Sequence, residues 1–66
     1  MEIVVNGESL SCADDFTVQA LLIQLGFLPE SIVVERNDQF VQRSTYSTTV
    51  LRDGDTLHLI EFVGGG

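Results

Sequence analysis

The stretch "LRDGDTLHLIEFVGGG", residues 51–66, sets a turn, a strand and three glycines end to end. Its "RDGD" segment carries an Asp-Gly pair, which turns readily because glycine accepts positive φ. In "TLHLIEFV", Leu57 and Leu59 alternate with His58, Ile60 and Phe62. That is the period of two expected of a strand. It is the longest apolar-rich strand candidate in the chain. It runs straight into Gly64, Gly65 and Gly66. Such an end is either a frayed terminus or the working part of the molecule.

Working back from it, "MEIVV" places Met1, Ile3 and Val5 on one side and Glu2 and Val4 on the other. This is a second strand pattern. Asn6-Gly7 follows, the strongest short hairpin signal, because both residues tolerate positive φ. "ESLSC" then reads as a short, polar returning strand at a sheet edge, with Leu10 turned inward. In "DDFTVQALLIQLG", Val18, Leu21, Leu22 and Leu25 fall on one face of a 3.6-residue period. Thr17 suits the N-cap, Asp14 and Asp15 suit the positive end of the dipole, and Gly26 suits a left-handed C-terminal cap. Pro29 blocks continuation. "SIVVERN" is a β-branched strand with Ile32 and Val34 on one face and Val33 and Glu35 on the other. Asn37-Asp38 is a turn, "QFVQR" a short strand and "STYSTTVL" a polar loop ending in Val50 and Leu51. One helix on one face of a mixed four- or five-stranded sheet is the economical α+β arrangement.

Size and composition narrow the chemistry. At 66 residues the chain is one small domain, near the lower limit for folding alone. One cysteine, Cys12, and one histidine, His58, cannot build a disulfide framework or a Cys/His metal cluster. Stability must come from an apolar core, and 44% hydrophobic residues can supply one. The unpaired cysteine fits a reducing compartment. No secretory leader or membrane-length apolar run is visible, so a cytoplasmic location is expected. Ten acidic residues against three arginines and no lysine give a net charge of -7. Nucleic acid and anionic membranes would repel that surface, whereas a basic groove on a partner protein would attract it.

The segments "MEIVVNGE", "TVQALLIQLG", "VVERNDQFVQRSTY" and "LRDGDTLHLIEFVGGG" together resemble the ThiS-like sulfur-carrier family of thiamine biosynthesis, within the ubiquitin-like β-grasp superfamily. The resemblance implies a first strand parallel to the last, with the helix crossing between them. It implies a β-grasp domain over 1–62 and a flexible C-terminal glycine tail over 63–66. It also implies a carrier that is not itself an enzyme and binds no cofactor. A ThiF-like adenylating enzyme would use ATP on its behalf, a cysteine desulfurase persulfide would donate sulfur, and a thiazole synthase would receive it. Two related branches use the same kind of tail, the small subunit of molybdopterin synthase and the carrier for tRNA thiolation. Unlike ubiquitin, the chain has no lysine and no arginine before its glycines. Unlike many sulfur carriers, it has Gly64 where a bulkier residue precedes the diglycine.

The chemistry implied by the family falls on the carboxylate of Gly66, which would be adenylated and then thiocarboxylated. No side chain of the carrier is required for it. A thread narrow enough to enter a buried site is required, and glycine, lacking Cβ, permits that approach. The four residues beyond Phe62 reach at most roughly 13–14 Å when extended. Val4, His58, Ile60 and Phe62 would form a docking patch on the sheet face away from the helix, and Val63 would be a further partner-binding residue.

Other residues attract simpler readings. Cys12 lies on an expected strand without a basic neighbour in sequence and reads as a small, partly buried apolar residue. Asp53 and Asp55, like Asp14 and Asp15, lack cation-loop spacing and read as turn and helix-start residues. No nucleophile–base pair is apparent. A β-grasp interaction module with inert glycines is the alternative of a different class.

Overall fold

The computed structural model describes residues 1–62. The tail over 63–66, including Val63, Gly64, Gly65 and Gly66, lies outside the described residues. Five strands form one mixed sheet: β1 (Glu2–Val5), β2 (Glu8–Ser11), β3 (Ile32–Arg36), β4 (Gln39–Val41) and β5 (Thr56–Glu61). Their spatial order is β2-β1-β5-β3-β4. β1 runs parallel to β5, and the other neighbours are antiparallel. The one α-helix among the described residues, α1 (Val18–Gln24), packs on one face, and two short 3-10 turns cover Pro29–Ser31 and Arg43–Thr45. This is the expected β-grasp arrangement, with five strands rather than four. Among the described residues, no helix is long and apolar enough to cross a membrane.

Local chemistry explains each boundary. Asn6 and Gly7 both have positive φ, 50° and 86°, as the tight β1–β2 turn demands. The Asn6 side chain also accepts a hydrogen bond from Leu59 N–H at 2.9 Å. It thereby extends the β1–β5 ladder past the end of β1. Thr17 caps α1, its hydroxyl accepting from Ala20 N–H at 3.1 Å. Gly26, at φ 88°, closes the helix: its N–H donates to Ile23 O, and Phe27 N–H donates to Leu22 O. That paired closure is the glycine cap in which two orphan carbonyls are satisfied. Thr17→Ala should lower stability by about 1 kcal/mol, read as a urea midpoint shift at unchanged m-value.

Three details differ from the sequence reading. Leu25 is 38% exposed rather than core, because α1 ends at Gln24 and the cap turns Leu25 away. Asp14 and Asp15 precede the N-cap and leave the first helical turn without an acid. Cys12 lies one residue beyond β2, half-buried against the core, with its N–H on Met1 O.

The core is Ile3, Val18, Leu21, Leu22, Ile32, Val34, Tyr46, Leu51, Leu57 and Leu59. Tyr46 is the unforeseen member. It is 2% exposed although it comes from the polar run "STYSTT". Its hydroxyl donates to Ile32 O at 2.8 Å, so the polar tip is satisfied inside the core. Tyr46→Phe keeps the ring but orphans that carbonyl, and should cost about 1–3 kcal/mol in thermal or urea unfolding.

Candidate functional site

β5 gives the molecule its two faces. Leu57 and Leu59 point into the core beneath α1, while His58 and Ile60 are exposed on the opposite side. Phe62, one residue beyond the strand, is 45% exposed. The flanking strands fill out this open face. Val33 pairs with Ile60 and Glu35 with His58 across β3, and Phe40 pairs with Glu35 across β4. Val4 pairs with Thr56 across β1. Val4 and Val33 are half-buried, and Phe40 is exposed. The structure therefore brings Val4, His58, Ile60 and Phe62 onto the β5 side of one sheet face. It adds Val33 and Phe40, which sequence reasoning did not group with them. Alternation in "SIVVERN" had set Val33 outward, but only cross-strand register shows that it abuts Ile60.

The apolar residues of this face lead toward the point where the chain passes Phe62. That exit is held by backbone: Phe62 N–H donates to Ser31 O at 3.3 Å, continuing the β3–β5 pairing by one step. The guanidinium of Arg43 lies over the Phe62 ring, 5.7 Å from its centroid.

Asp55 does more than turn the chain. It is 6% exposed and lies immediately before β5. Arg36 Nε donates to it at 2.8 Å, Asn37 Nδ2 at 3.0 Å and Arg52 N–H at 2.8 Å. Burial pushes its pKa upward, but the Arg52 amide, the Asn37 amide and the Arg36 guanidinium together hold it below the ordinary 3.8. These bonds tie the start of β5 to the end of β3. Because the folded-state pKa is depressed, the contribution is present at neutral pH. It is lost as pH falls below about 4 and through the folded value. Asp55→Asn should therefore lower stability at pH 7 and flatten the acid limb of a stability-against-pH curve.

Among the described residues, no group of three His, Cys, Asp or Glu side chains could hold a metal ion. The arrangement instead offers an apolar, partly exposed sheet face beside a chain exit, which suits protein docking.

Comparison with known proteins agrees with this geometry. The family model described as "ThiS family" matches residues 3–66. The chain belongs to the ThiS family. The chain is similar over its whole length to the sulfur carrier protein ThiS of Escherichia coli, at 32% identity and covering 100% of that protein. It is also 42% identical to a thiazole synthase of Magnetococcus marinus, but spans only 20% of that protein's length. Among solved structures, the ThiS crystal structure from Geobacter metallireducens matches with a TM-score of 0.84 at 32% identity, each chain covered completely. The ThiS match extends through Gly66, so the glycines fall inside the family pattern.

Proposed function

We propose that this ThiS-family chain is a sulfur carrier whose Gly66 carboxylate is activated and loaded with sulfur for thiazole formation in thiamine biosynthesis. The observation that carries the reading is the ThiS match through the terminal glycines, joined to a β-grasp domain whose last strand leads toward them. The full-length similarity to a sulfur carrier supports the carrier role, and the thiazole synthase relative favours the thiazole branch.

A carboxylate is a poor electrophile and needs a leaving group. Its oxygen attacks the α-phosphate of ATP, pyrophosphate departs, and an acyl-adenylate forms at Gly66. A partner persulfide then attacks the carbonyl carbon and expels AMP. The bond formed is C–S, giving an acyl disulfide. A second thiol then attacks the donor's own sulfur and breaks the S–S bond carried over from the persulfide, leaving a thiocarboxylate on Gly66 and a disulfide on the donor. A ThiF-like enzyme holds the ATP, a cysteine desulfurase supplies the persulfide sulfur, and a thiazole synthase consumes the thiocarboxylate. The carrier's part is to dock through Val4, His58, Ile60, Phe62 and Val63 and to deliver Gly64, Gly65 and Gly66 as a narrow thread. Its acidic surface steers it toward a basic partner.

Adenylation is tested by carrier-dependent exchange of labelled pyrophosphate into ATP by the adenylating enzyme. A chain ending at Gly66 should support exchange, and a chain with one alanine appended after Gly66 should not, with folding unchanged by circular dichroism. Equal exchange by both would overturn the assignment of Gly66.

A further inference from the structure

Arg43 stands outside the proposed docking patch, yet its guanidinium covers a ring within that patch, Phe62. Its own position is fixed by the core. Arg43 opens the 3-10 turn Arg43–Thr45, and its carbonyl accepts from Tyr46 N–H at 3.1 Å. Tyr46 is buried, and its hydroxyl is bonded to Ile32 O. Ser31, the residue before Ile32, provides the carbonyl that receives Phe62 N–H. The platform that carries Arg43 and the acceptor that holds the Phe62 backbone are therefore tied to each other through Tyr46. The turn is further tightened by three hydroxyls: Thr45 donates to the carbonyl of Gln42, just before the turn, and Thr48 and Thr49 donate to the carbonyl of Thr45. Arg36, by contrast, is engaged by Asp55 at the far end of β5. Phe62 is thus held twice at the chain's exit from the sheet, once through its backbone and once through its ring.

We propose that Arg43 is a positioning residue: by clamping the Phe62 ring it holds the end of the β5 segment in a set place for the partner that takes up the chain beyond it. This inference rests on the reading of Gly66 as the activated end. A cation over an aromatic ring at a half-exposed site gives a modest attraction. Its use here is to order the root of the tail before docking, so that less ordering cost falls on the encounter. The effect should appear mainly in KM for the carrier and little in kcat, because the role proposed for Arg43 is to order Phe62 before docking and not to take part in the reaction.

The test is steady-state pyrophosphate exchange with the adenylating enzyme of the same organism, at varied carrier concentration. Arg43→Ala should lower kcat/KM by roughly two- to fivefold, the range a surface cation–ring contact supports. Arg43→Lys should recover most of that loss. Arg43→Met, which keeps the stem without the charge, should behave as Arg43→Ala. Phe62→Leu removes the ring, and adding Arg43→Ala to it should then change nothing further. Unaltered kcat/KM in Arg43→Ala overturns the proposal. So does an undiminished Arg43→Ala loss in the Phe62→Leu background, which would mean that Arg43 meets the partner directly. A second measurement needs no partner: backbone amide relaxation by NMR should show the order of Phe62 falling in Arg43→Ala, with β3 unchanged. If the wild-type chain supports no exchange at all, the reading of Gly66 fails, and the NMR arm alone decides whether the clamp exists.

Discussion

Leu57→Ala is expected to cost about 2–5 kcal/mol, the range for emptying a fully buried leucine site. A chain this short has only about 3–10 kcal/mol to lose. Leu57 is wholly buried in β5, the middle strand of the sheet. Its backbone is paired with Val5 on one side and Arg36 on the other, so the strand cannot shift to refill the space. Leu21, Leu22 and Val18 of the same core belong to α1. That helix is closed at both ends by Thr17 and Gly26, which opposes its settling into the gap. Urea unfolding followed by circular dichroism should show a large fall in midpoint. Ile60→Ala, three residues along the same strand but 48% exposed, should change stability by only about 0.5 kcal/mol. A similar cost for both would mean that β5 does not divide core from open face as described.

The second large effect is functional and falls on that open face. Ile60→Asp should leave the chain folded but reduce kcat/KM for adenylation by roughly 30-fold or more, the loss expected when a central apolar anchor is replaced by an unpaired charge. Ile60 abuts Val33 across the β3 register and stands near the exit at Phe62. A carboxylate there would have to be desolvated on docking. The measurement is pyrophosphate exchange at varied carrier concentration, with urea unfolding of the same variant as the control. Strand propensity alone accounts for up to about 1 kcal/mol of stability, which an exposed site tolerates. Retained exchange at wild-type KM would place the docking surface elsewhere.

Much of this was legible in the sequence because it is written in local periods. The alternation of Leu57 and Leu59 with His58 and Ile60 separated core from open face. Asn6-Gly7 and Gly26 marked chain reversals that only positive φ allows, and both have it. What escaped depends on contacts distant in sequence. Tyr46 lies among serines and threonines, and nothing local reveals that its hydroxyl meets Ile32 O. Asp55 looked like a turn residue, because its partners Arg36 and Asn37 lie on and beside another strand. Leu25 fitted the helical period, but a cap one residue later decides its exposure. Val33 and Phe40 joined the docking face only through register. The partner-binding roles of Val4, His58, Ile60, Phe62 and Val63 rest on that face and on the family, and remain proposals alongside the roles of the terminal glycines.

Mass spectrometry tests directly whether Gly66 is the end that takes up sulfur. The chain, ending at Gly66, is incubated with the adenylating enzyme, ATP and a persulfide donor, then digested. A mass change equal to replacement of one oxygen by sulfur, confined to the C-terminal peptide and absent without ATP, is the predicted result. Sulfur found on Cys12 instead, or a C-terminal peptide of unchanged mass while a known ThiS carrier is converted in parallel, would contradict it.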